Sequence, residues 1–134
     1  MSPKMYRQRI YNMGIEDMEI NVSSLENSMR TLRTINDMGK VLKKIRHNLR
    51  IDIRIIRMDY IKKMQNINEL ADKKGFFGKK MSDEKIFKKK KSLKKERKNN
   101  IAAYEIIETM VENYLTQIED SRIYINNQIQ SKVR

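Results

Sequence analysis

Residues 23–72 read SSLENSMRTLRTINDMGKVLKKIRHNLRIDIRIIRMDYIKKMQNINELAD, and their periodicity decides the fold. Leu25, Met29, Leu32, Ile35, Met38, Leu42, Ile45, Leu49, Ile53, Ile56, Tyr60, Met64, Ile67 and Leu70 follow one another at steps of three or four. The mean step is about 3.5, the period of a coiled-coil seam rather than of a wide globular face. Gly39 is the one glycine in the run and proline is absent from it. A helical glycine costs about 1 kcal/mol, too little to break so long a row. Leu49–Ile55 also alternates apolar with polar residues, a pattern that suits a strand. No turn residues flank it, and the helical row passes through it in phase, so helix is the preferred reading.

Both ends of the run carry boundary signals. Ser23 and Glu26 have capping-box spacing, the serine accepting from the third helical amide and the glutamate reaching back. At the far end, Lys73-Lys74-Gly75-Phe76-Phe77-Gly78 closes the helix. Lysines suit the negative end of the dipole, and Gly75 suits a left-handed cap. Ser82 then caps a second helix, with Asp83 and Glu84 in its first turn. Ile86, Leu93, Ile101, Tyr104, Ile107, Val111, Leu115, Ile118, Ile125 and Ile129 repeat the seam, with Lys90, Arg97 and Arg122 at intervening seam positions.

Ser24–Asp72 and Asp83–Ser131 each count 49 residues. Two equal helices of about 70 Å, joined by a glycine loop near 74–81, predict an all-α, coiled-coil-like antiparallel hairpin over residues 23–134. Folding about residue 77 sets Ile45 against Val111 and Met38 against Ile118. Residues 1–22 form an N-terminal arm that the pattern does not define. Pro3 and Gly14 punctuate it, Tyr6, Ile10 and Tyr11 suit a short helix or a docking arm, and Met18, Ile20 and Val22 alternate too briefly to make a strand.

Charge is distributed unevenly along the chain. Residues 40–98 hold 22 Lys/Arg and 7 Asp/Glu, whereas residues 1–39 hold five of each and residues 99–134 hold three basic and five acidic side chains. The net +13 therefore belongs to the middle of the chain. A coding bias toward Lys, Ile and Asn would raise lysine everywhere, and here lysine is concentrated. Localised charge of this kind points to a polyanion-facing surface.

Two basic groups stand out. Lys88, Lys89, Lys90, Lys91, Lys94, Lys95, Arg97 and Lys98 spread around the second helix and suit sequence-independent neutralisation of DNA or RNA phosphates. Lys43, Arg46, Arg50, Arg54 and Arg57 step by three and four along one face of the first helix, where guanidinium forks suit phosphate. Glu105, Glu108 and Glu112 stand at matching height on the second helix and offer the arginines ion pairs instead. Opposite the lysines, Ile56, Tyr60, Met64 and Ile67 find only Ile86, Phe87 and Leu93 to cover them. That mismatch predicts either fraying over residues 79–98 or a partner interface on the stripe, most simply a second hairpin completing a four-helix bundle.

Several classes are disfavoured. There is no cysteine, so disulfide frameworks, thiolate catalysis and Cys-based metal sites are absent. A cysteine-free chain suits a reducing, cytoplasmic setting. His47 is the single histidine and cannot anchor a typical transition-metal site. No phosphate loop, nucleophile elbow or paired-carboxylate motif occurs, and no cofactor is expected. Phe76 and Phe77 beside lysines raise attachment to an anionic membrane surface, the weakest of the readings. The sequence favours a non-enzymatic, self-associating protein with a basic region that binds nucleic acid. The alternative is a protein-binding adaptor whose charge serves only solubility.

Overall fold

A computed structural model describes residues 1–72 and 82–133, with side chains for all of these but 71 and 72. It contains three helices, α1 (Pro3–Asn12), α2 (Leu25–Asp72) and α3 (Asp83–Val133), and no strand among the described residues. The long helices α2 and α3 pack against each other as a helical hairpin. The expected loop, including Phe76 and Phe77, lies outside the described residues. The stretch Leu49–Ile55, which alternates like a strand, is helical throughout.

The helix starts follow from local hydrogen bonding. Ser2 caps α1, its Oγ accepting the Met5 amide at 3.2 Å, and Pro3 fills the first helical position, where no amide partner is needed. Gly14 follows the helix with φ +72°, the left-handed geometry that a side chain resists. The cap of α2 is Ser24, one residue beyond the predicted Ser23: its Oγ accepts the Asn27 amide at 3.0 Å. Ser23 instead donates to Asn21 Oδ1 and accepts from Asn27 Nδ2, and Glu26 pairs with Arg30 at 3.0 Å. Ser82 caps α3 as expected, accepting the Lys85 amide at 3.3 Å.

Packing divides the chain into two units, Met1–Leu49 with Ile106–Arg134, and Arg50–Glu105. In the first unit Ile35, Leu42, Ile45 and Leu49 of α2 are buried, as are Ile107, Val111, Ile118 and Ile125 of α3 and Tyr6 and Ile10 of α1. A Cβ built on Gly39 would lie 3.6 Å from Ile118 Cγ2, and Arg46 reaches Glu112 at 3.2 Å. These contacts run antiparallel and match the expected pairing of Met38 with Ile118 and Ile45 with Val111 to within a residue. The N-terminal arm belongs to this unit. Thr31 Oγ1 donates to the Asn21 carbonyl at 3.0 Å, and the Tyr114 hydroxyl donates to Glu16 at 2.6 Å. The undefined arm is thus a short helix, α1, followed by a segment tied to both long helices.

The second unit is more thinly packed. Among its described residues, the buried apolar ones are Ile53, Tyr60, Leu93 and Ile101, against ten in the first unit. Asn100 Nδ2 donates to the Tyr60 hydroxyl at 2.6 Å, and Arg57 lies 3.7 Å from Glu105, again an antiparallel order. A gap of about 170 Å³ remains beside Tyr60, Met64 and Leu93. The cause is composition. The α3 segment facing α2 offers Leu93 and Ile101 for the core, while Ile86 is half-buried and Phe87 is 67% exposed.

Candidate nucleic-acid interface

The basic residues of α3 separate into two sets once the buried face is known. Leu93 is buried and marks the side of α3 turned to α2. At 3.6 residues per turn, Lys88, Lys91, Lys95 and Lys98 fall on the opposite side, at steps of three, four and three. Lys94 stands at the edge of this row, and all five are exposed. From Lys88 to Lys98 the row rises about 15 Å along the helix. Lys89, Lys90 and Arg97 flank Leu93 instead. Lys90 is half-buried, Lys89 borders Ile67 and Glu96, and Arg97 borders Tyr60 and Met64. The eight-residue basic run thus spreads around the helix, with Lys88, Lys91, Lys95 and Lys98 outward and Lys89, Lys90 and Arg97 beside the seam.

Acidic partners are scarce along the outward row. Glu84 pairs with Lys88 at 3.3 Å, one turn away on the same helix. Lys91, Lys94, Lys95 and Lys98 have no ion-pair partner among the described residues. Four ammonium groups on consecutive turns, held on a helix and free of carboxylates, form a surface of fixed positive potential.

The arginines of α2 behave differently. In the first unit, Arg46 Nη1 donates to both carboxylate oxygens of Glu112, at 3.2 and 3.4 Å. In the second unit, Arg57 pairs with Glu105, and Arg50 also has an interaction within the chain. Of the two roles open to these arginines, Arg46 and Arg57 make the inter-helix ion pairs, because the acids of α3 stand at the same height. Arg54 is exposed.

The stripe Ile56, Tyr60, Met64 and Ile67 faces α3 of its own chain. Tyr60 is 5% exposed, and Ile56, Met64 and Ile67 are half-buried. Leu93 and Asn100 meet the stripe, and Lys89 and Lys94 border it. Burial, followed by the nearby Glu96 charge, raises the Tyr60 pKa. The Lys63 ammonium sits 4.9 Å from the centre of the Tyr60 ring, and its bond to Asp59 raises its own pKa.

Among the described residues, no group of three or more His, Cys, Asp or Glu side chains is placed to hold a metal ion, and no helix is long and apolar enough to cross a membrane. No family model, curated protein or solved structure matches this chain.

Proposed function

We propose that this protein binds nucleic acid without sequence specificity, through the outward lysine row of α3. The observation that carries the reading is the set Lys91, Lys94, Lys95 and Lys98: exposed, on neighbouring turns of one helix, and without carboxylate partners among the described residues. Lysine is a compact point charge on a flexible stem. It neutralises a phosphate backbone without the planar geometry that reads a base edge. The protein then acts by binding, not by catalysis. The ion pairs Arg46–Glu112 and Arg57–Glu105 favour a second reading, a protein-binding adaptor, because they assign part of the basic charge to holding the hairpin together.

Fluorescence anisotropy of labelled duplex DNA and single-stranded RNA, titrated across a range of salt, separates the two. Changing Lys91, Lys94, Lys95 and Lys98 to Gln is expected to reduce the slope of log K against log salt on duplex DNA by about 3 to 4, at ~0.9 per phosphate contact. Changing Lys4, Lys40, Lys43 and Lys44 to Gln lowers the net charge by the same four units, from +13 to +9, and is expected to change the slope far less. Equal effects from the two variants would reduce the lysine row to general charge and leave the adaptor reading.

A further inference from the structure

We propose that a second copy of this chain covers the outward face of α2 in the second unit, giving a two-fold dimer joined through Ile51, Ile55, Met58 and Ile61. These residues are 39%, 60%, 55% and 49% exposed. Ile51, Ile55 and Met58 step by four and three along the side of α2 opposite Ile53 and Tyr60, and Ile61 sits at the edge of that side. The seam residues Ile53 and Tyr60 are buried toward α3. Over these turns α2 is therefore apolar on two opposite sides, the pattern of a helix packed on both. Four large side chains so exposed make a patch of a few hundred Å², the scale at which exposed apolar surface marks an interaction site.

Charge selects the occupant. Residues 51–61 carry Asp52, Arg54, Arg57 and Asp59, a net charge of zero within a chain of +13. Over residues 51–61 two copies meet on this face without net repulsion, which begins at Lys62 beyond the apolar stretch, whereas two lysine rows of α3 would repel along their length. A polyanion has no net attraction to it. Arg54 and Asp59 flank the apolar row on opposite sides, five residues apart. At that spacing, parallel helices exchange ion pairs across a shared seam. A two-fold pair of parallel α2 helices brings Arg54 of each copy to Asp59 of the other. The apolar stretch is short, with Asn48 and Lys62 at the next positions of the row. With flanking side chains included, the joint buries on the order of 1,000 Å², below the standard range for stable complexes. The dimer accordingly depends on concentration.

Sedimentation equilibrium of the full chain without nucleic acid, from about 1 to 200 μM, tests this apart from any nucleic-acid binding. The mass is expected to rise from 16.1 kDa toward twice that value. Ile55→Asp is expected to raise the dissociation constant at least tenfold while leaving helical circular dichroism unchanged, because Ile55 is exposed within one chain. Arg54→Asp is expected to weaken the dimer, and Arg54→Asp combined with Asp59→Arg to restore it. The chain has no cysteine of its own, so Ile55→Cys introduces a single thiol. It is expected to oxidise to a disulfide-linked dimer faster than Lys95→Cys on the lysine row. A monomer throughout the range, a dimer that persists in Ile55→Asp, or equal cross-linking from positions 55 and 95 overturns the proposal.

Discussion

At the scale of the residue, tyrosines join elements that are distant in sequence. Tyr114 on α3 donates to Glu16 in the N-terminal arm at 2.6 Å, and this bond to a carboxylate, followed by burial, raises the tyrosine pKa. The folded value stands above the unfolded one. The bond therefore contributes fully below the ordinary tyrosine pKa of about 10 and is lost as pH rises through the higher folded value. Tyr114→Phe is expected to cost about 1 kcal/mol at pH 7. Denaturant unfolding between pH 8 and 11.5 is expected to show wild type losing its advantage over Tyr114→Phe at the alkaline end. A difference that stays constant across the series would contradict this assignment. Tyr6, Ile10 and Tyr11 were legible as a short helix or a docking arm, of which Tyr6 and Ile10 are buried and Tyr11 is exposed, but the Tyr114–Glu16 bond was not legible. It joins positions 98 residues apart, and no local pattern encodes that pairing.

At the scale of the element, the predicted seam of α2 rolls off the buried face at both ends. A 3.5-residue repeat drifts by ~20° per heptad against a straight helix. Met29 near one end is 49% exposed and Leu70 near the other is 47% exposed, while the middle of the row stays inward. Near the start of α2 the inward places belong to small residues, Ser28 and Thr31, which are buried with their hydroxyls bonded to the carbonyls of Ser24 and Asn21. An apolar count passes over such residues, although their hydroxyls are satisfied by the backbone. Gly39 is also buried, and a Cβ added there would make an ordinary contact with Ile118. Gly39→Ala is therefore expected to stabilise the protein by up to about 1 kcal/mol through helix propensity alone. A fall in thermal midpoint in Gly39→Ala would mean that the α2–α3 contact has no room for the methyl group.

At the scale of the whole molecule, burial is uneven between the two units. Among the described residues, the first holds most of the buried apolar side chains, and the second has four of them with a gap of about 170 Å³ along its seam. Local opening follows local burial. Native-state hydrogen exchange is expected to be fastest, among the helical interiors, over residues 86–98 and slowest over residues 107–125. Equal protection of the two stretches would show that the hairpin opens only as one cooperative unit. The same thin packing bears on the two proposals. Glu96, Arg97 and Asn100 take the inward places on α3 between Leu93 and Ile101, and α2 turns its surplus apolar residues outward. A pair joined through α2 would carry its lysine rows away from the joint, on α3 of each copy.

Element type and approximate limits follow from the sequence by itself, because helical periodicity and serine caps are local properties of the chain. So does the concentration of charge in residues 40–98, which composition sets before any folding. Which partners the side chains on and beside the seam meet is decided only by tertiary structure. Arg46 and Arg57 pair with Glu112 and Glu105, and the height of those acids on the neighbouring helix sets the pairing. Tyr60 could face a partner or its own chain, and burial beside Asn100 determines that it faces inward. The lysine run becomes an outward row only once Leu93 defines the inward side of α3. Each of these outcomes depends on which side chains of two helices meet at a given height, and the apolar row that marks the inward face of one helix does not carry that.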